Sequence, residues 1–400
     1  MIHKFLSFSP SKDYYTIFFG WILSATSIGV LLPFIAIYFT EKFSLSITDI
    51  GYFFLMSSIL RAIFQAYGGE LSDTLGRKNI ILFALFGRAF FLILLFIFDL
   101  FFFNLIYMLI FLGLTYMFSA IFMPVTQAAI ADLVPENKYL EAYSIIRIGG
   151  NLGWIFGPIL GGLVYEYSKS FYFLFSAIFS ILGGFIFLFS FSNSNQLILR
   201  NKEKSSYISI LKNRLFIFFC IISFFMMLTS SQLLSSLPYF LKNIKHIETS
   251  YLGYIFSMNG ITVILVQYPM LKIIQKINPF IGMFLGSLLY GLSYSLVGLL
   301  NNIWEFLIII FLISVAETIV LPLVQSAIVN ISSRTTYGRY MGFFGIISVT
   351  GWSVGPMIGT QIIGYIKDPI LAWIYIASFS ILSSFGFICF YYIFSHKKIN

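Results

Sequence analysis

Apolar runs of about 20 residues, the length that carries a helix across a bilayer, recur from Tyr14 to Phe394 with short polar loops between them. Of the 400 residues, 59% are hydrophobic and 10% charged, whereas a soluble domain is closer to half apolar and a quarter charged. A membrane β-barrel would show short segments of alternating polarity, and the sequence has none. The reading is an all-α polytopic membrane protein. Twelve transmembrane helices are predicted at residues 14–39, 50–71, 79–98, 104–130, 143–165, 170–192, 213–240, 250–271, 279–299, 304–330, 340–365 and 370–394. The longest polar loop, 193–212, separates an N-terminal six-helix bundle, 1–192, from a C-terminal one, 213–400.

Lys and Arg set the expected orientation, because cytoplasmic loops are enriched in them. With the N-terminus inside, sixteen of the 24 basic residues fall on the cytoplasmic side, five fall outside, and three (Arg61, Arg88 and Arg147) lie within spans. Both termini are therefore expected in the cytoplasm of a plasma-membrane protein. MIHKFLSFSPSKD is not followed by a small-residue cleavage site, so the first span is expected to remain as a helix.

Other chemistry finds little support. Cys220 and Cys389 lie inside apolar spans, which suggests neither a disulfide framework nor a metal site. His3 and His396 sit at the termini and His246 in an outer loop. No Walker A motif is present, so ATP is not expected to drive the protein directly. No Ser/His/Asp constellation suggests an enzyme, no basic-aromatic stretch suggests nucleic acid, and no cofactor is implied.

The halves resemble each other. IGYFFLMSSI (50–59) aligns with LGYIFSMNGI (252–261), and FMPVTQAAIADL (122–133) with VLPLVQSAIVNI (320–331). NLGWIFGPILGG (151–162) aligns with VTGWSVGPMIGT (349–360), and LPFIAIYF (32–39) is echoed by LPYFLKNI (237–244). Prolines, glycines and glutamines match as well as apolar residues, which favours duplication of six helices over chance. A parallel repeat of this kind is typical of secondary transporters, with substrate held between the halves.

Span 5 carries Gly153, Gly157, Pro158, Gly161 and Gly162. Small residues four apart let helix backbones approach closely in lipid, and proline bends the rod. Ionisable groups inside a span are expensive and usually functional. Glu317, in FLISVAETIVLPLVQ, is the only acid near a span centre; it could exchange a proton or pair with a cationic substrate. Arg61 in span 2 and Arg147 in span 5, the latter beside Ser144 and Asn151, could pair with it, bind an anionic group or hold helices together. Arg88 in span 3 is expected to turn inward toward span 2 in a structural role. The repeat places Gln65 opposite Gln267 and Gln127 opposite Gln325, which makes these glutamines substrate-site candidates. Ser24, Ser27 and Gln232 are polar enough to line a cavity or to join helices.

Residues 68–78, GGELSDTLGRK, concentrate charge in the turn between spans 2 and 3. Gly69, Leu71, Asp73, Gly76, Arg77 and Lys78 match the GxLxDxxGRK motif of the major facilitator superfamily. The chain resembles that superfamily over its full length, and Gly153 to Gly162 resemble the span-5 motif of its drug:proton antiporter branch. RAIFQAYGG (61–69) and RIGGNLGW (147–154) resemble the multidrug-resistance subgroup. The arginine that many members carry in span 4 is missing here. The resemblance implies that spans 1, 4, 7 and 10 line a central cavity. It also implies that Asp73 meets the N-terminal end of span 11 as a conformational lock, steadied by Arg77.

The expected function is secondary active transport, with proton-coupled efflux of small amphipathic or drug-like molecules by alternating access. The expected partners are the substrate, protons and the lipid bilayer, and the expected state is a monomer. One alternative is a facilitator or importer of a small metabolite such as an organic anion, favoured by three intramembrane arginines against one glutamate. Another is a transport-fold sensor or assembly partner, against which the lack of a sizeable soluble domain argues.

Overall fold

The computed structural model describes residues 10–102, 104–135, 138–192, 211–332 and 337–399. Gly69, the side chains of Asp73 and Gln325, and most of the 193–212 loop lie outside the described residues. Twelve helices among the described residues are long and apolar enough to cross a membrane, and each coincides with a predicted span. They are α1 (Lys12–Phe43), α2 (Ile47–Leu75), α3 (Arg77–Phe101), α4 (Leu105–Leu133), α5 (Tyr139–Tyr167) and α6 (Phe171–Ser190). The second set is α7 (from Arg214 to Asn243), α8 (Thr249–Ile274), α9 (Pro279–Leu296), α10 (Ile303–Ile331), α11 (Tyr337–Tyr365) and α12 (Pro369–Ile399).

Several helix starts are written in the sequence. The side chains of Ser11, Asn104, Asn213 and Asn278 accept from backbone N–H groups in the first turns of α1, α4, α7 and α9. Asn302 and Glu305 form a reciprocal capping box on α10. Each satisfies N–H groups that the first turn leaves unbonded.

Two helices differ from the single rods expected. α1 passes through a 3-10 turn at Leu32–Phe34, and α7 through one at Ser231–Leu234. Pro33 lies within the first turn and Pro238 just beyond the second. Each lacks the N–H that would reach back four residues, so the α-helical ladder is interrupted and the turns tighten.

The chain divides into two compact units. Met1–Tyr38, Met56–Asn201 and Glu248–Gly260 form the first, and Phe39–Leu55, Lys202–Ile247 and Ile261–Asn400 the second. In the first unit α1 lies against α5 and α6, and α3 against α4 and α6. In the second, α7 lies against α11 and α12, and α9 against α10 and α12. Shifting every helix number by six converts one neighbour set into the other, so the duplication seen in sequence is also one of packing.

Lipid tails are as apolar as leucine, so close packing and interhelical hydrogen bonds hold such helices together. Ser27 on α1 donates to the carbonyl of Ser176 on α6 at 2.7 Å, and Ser176 donates back to that of Ser27 at 2.8 Å. The buried Tyr14 hydroxyl on α1 donates to the Ala142 carbonyl on α5 at 2.8 Å.

Candidate functional site

The glycine motif of α5 serves two faces. Gly153, Gly157 and Gly161, four residues apart, meet α1. A methyl added to Gly157 would stand 2.7 Å from the Gly29 Cα and 2.8 Å from the Thr26 carbonyl oxygen. One added to Gly153 would meet the Ile22 carbonyl oxygen at 2.6 Å. The other face meets the start of α8 within the first unit: a methyl on Gly162 would stand 2.7 Å from the Thr249 oxygen, and one on Gly253 would stand 3.0 Å from the Ile159 Cα. In the second unit Gly351, Gly355 and Gly359 of α11 face Met227, Leu228 and Ser236 of α7 in the same way. The opposite face of α11 meets the start of α2, where Gly51 packs against Met357 and Gly364 against Thr48.

Glu317 lies half-buried on α10 in the second unit. Its neighbours in sequence are bonded to their own helix: Ser314 donates to the Ile310 carbonyl and Thr318 to that of Val315. In the same unit the buried hydroxyl of Tyr294 on α9 lies 3.5 Å from the Ser230 carbonyl oxygen on α7.

Arg61, Gln65, Gln127, Arg147 and Asn151 belong to the first unit. The Arg61 guanidinium lies 6.0 Å from the ring centroid of Tyr116 on α4, the outer limit of a cation–π contact. Gln127 accepts from the Tyr143 hydroxyl through its backbone carbonyl, at 2.7 Å. Gln65, Gln127 and Asn151 are half-buried, while Arg61 and Arg147 are exposed. Arg61 and Gln65 lie four residues apart on α2, and Arg147 and Asn151 four apart on α5.

Arg88 is only 1% exposed. It turns inward, but toward α1 and α6 rather than toward α2: Nη1 donates to Ser24 at 3.0 Å and Nε to Ser180 at 2.9 Å. α3 packs between α4 and α6, which puts its buried face on that side. Ser24 is thus spent on Arg88, Ser27 on α6, and Gln232 on a bond of 2.7 Å to the Gly355 carbonyl.

Sequence reasoning missed Asp99, which is 4% exposed and accepts from the hydroxyls of Tyr38 and Ser170. The predicted third span stopped at 98, whereas α3 runs to Phe101 and carries this acid into the interior. Asp132 was missed as well. Arg77 Nε donates to its Oδ2 at 2.9 Å, joining the α2–α3 turn to the end of α4. Its only trace in sequence is that the repeat sets an acid opposite Asn330. Gly76 takes a φ of +89° before α3, a conformation that side chains with a Cβ rarely adopt. Lys78 donates to the Phe191 carbonyl at 2.7 Å.

The chain is 25% identical over 95% of its length to a Na+, Li+, K+/H+ antiporter of Planococcus maritimus, covering 96% of that protein. It is 24% identical over 86% of its length to the multidrug resistance protein MdtG of Salmonella typhi, covering 86% of it. The solved structure of the nucleoside transporter NupG superposes with a TM-score of 0.79 at 14% identity, over 94% of this chain and 99% of that one. The sequence profile of the Major Facilitator Superfamily matches residues 17–281 and 219–398. The chain belongs to the Major Facilitator Superfamily.

Proposed function

We propose that this protein exports small amphipathic or drug-like molecules in exchange for protons, by alternating access between two six-helix halves. The observation that carries the reading is Glu317: a carboxyl group held half-buried in the middle of a span, where ionisable groups are costly and mark ion or substrate pathways. Relatives named as a cation/proton antiporter and as a multidrug resistance protein support the direction and substrate class. The distribution of basic residues, sixteen against five, supports cytoplasmic termini.

The test uses purified protein in liposomes with an imposed pH gradient and a panel of amphipathic cations. Gradient-driven movement of at least one compound is expected. Glu317→Gln should reduce it to background while ligand-induced thermal stabilisation survives. Transport that ignores the gradient, or full coupling in Glu317→Gln, overturns the reading. A second reading, an organic-anion facilitator, draws on the exposed Arg61 and Arg147. It would be favoured by saturable, gradient-independent anion uptake in the same liposomes that is lost in Arg61→Ala.

A further inference from the structure

Arg88 is the only buried Lys or Arg among the described residues, and its donors are only partly used. Nε donates to Ser180 and Nη1 to Ser24, while Nη2 is buried with no hydrogen-bond partner among the described residues. Ser180 passes its own proton to the Leu85 carbonyl at 2.7 Å. Ser24 accepts from Nη1, and its proton finds no acceptor among the described residues. Two kinds of donor, Nη2 and the Ser24 hydroxyl, are therefore unspent close together between α1, α3 and α6. Both side chains are at most 2% exposed.

The charge is unanswered too. Buried charges are ordinarily paired, yet the nearest acids along α1 and α3, Asp13 and Asp99, each stand eleven residues from Ser24 and Arg88, about 16 Å on an α-helix. Both are bonded elsewhere, Asp13 to Ser192 and Asp99 to Tyr38 and Ser170, and α6 holds no acid. The helix crossing itself does not require a cation. In the second unit Ser380 of α12 donates to the Ser287 carbonyl of α9 at 2.8 Å, just as Ser180 of α6 donates to that of Leu85 of α3, and α9 contains no Lys or Arg. Arg88 is an addition to a packing scheme that works without it.

We infer that Arg88 and Ser24 bind a small monovalent inorganic anion, of the class of chloride, inside the first unit. Such an ion accepts from Nη2 and from the Ser24 hydroxyl, and it cancels the guanidinium charge. Water could accept the same bonds, but it brings two protons of its own and leaves the charge uncancelled. A divalent oxyanion would replace one excess charge by another. The ion's role is to make a buried arginine tolerable at the junction of α1, α3 and α6, so chloride becomes part of the stability of this unit. The inference is independent of Glu317 and of whether transport is proton-coupled.

Melting curves of the purified full-length protein in sodium chloride and in sodium gluconate of equal ionic strength test it, gluconate being too large to enter. Chloride should raise the melting temperature by about 3–10 °C, the range that mass action gives for a ligand well above its dissociation constant. Bromide should substitute for it. Ser24→Ala, which leaves the guanidinium in place, should raise the chloride concentration needed for half the effect about ten-fold, the cost of a hydrogen bond to a charged group. Arg88→Met should melt at the same temperature in both salts. Crystals grown in bromide supply a readout that needs no variant, an anomalous peak beside Nη2 of Arg88. Equal melting of the parent in chloride and gluconate would overturn the site. So would a chloride effect of full size in Ser24→Ala and Arg88→Met, or bromide-grown crystals with no peak at Arg88.

Discussion

Arg88 shows how much one residue can be asked to hold. A guanidinium at 1% exposure is expensive in a membrane interior, and two serine hydroxyls answer it, while Nη2 has no hydrogen-bond partner among the described residues. Removing the whole side chain leaves a cavity and strands Ser24. Arg88→Ala is therefore expected to destabilise by about 2–4 kcal/mol, and Arg88→Met, which fills most of the volume, by distinctly less. Thermal denaturation in detergent measures both. Sequence made this residue visible through its cost, but could not name its neighbours, because which face of α3 meets α6 depends on how four helices pack. Asp99 was hidden for a simpler reason. It stands at the end of an apolar run, where an acid reads as the first loop residue, and only the extra turn of α3 buries it against Tyr38 and Ser170.

Among the elements, α5 was the most legible and was still only half read. The glycine spacing announced close packing. That Gly162 belongs to a different face from Gly161 follows from the 100° turn per residue, but what each face meets does not. The difference is measurable. Gly157→Ala sets a methyl against the backbone of α1 and should cost about 1–3 kcal/mol. Gly345→Ala, in α11, meets nothing within 4 Å and should be neutral or stabilising by up to about 1 kcal/mol, the helix-propensity gain of alanine over glycine. Comparing melting curves of the two variants checks this, and equal losses would mean that the close approach is not what Gly157 provides. The 3-10 turns in α1 and α7 escaped the sequence reading because the predicted spans run on past Pro33 and Pro238.

At the scale of the molecule, the twelve spans, their order and their duplication were all readable, since each rests on periodicity and length rather than on particular contacts. The first unit includes Glu248–Gly260, a stretch that lies beyond the polar loop at 193–212. A fragment of residues 1–192 therefore lacks part of its own packing. It should be recovered from membranes in good yield only when residues 213–400 are co-expressed, and equal yields with and without the second fragment would count against this. One further consequence concerns α1. Below its 3-10 turn, Ser24 and Ser27 are fastened to α3 and α6. Above it, Tyr38 is fastened to Asp99 of α3, which also holds Ser170 at the threshold of α6. The 3-10 turn Leu32–Phe34 lies between the two clamps, so its bend can change without breaking either. The helix is a jointed rod pinned on both sides of its joint, and a push on one arm is absorbed as flexure before it reaches the other.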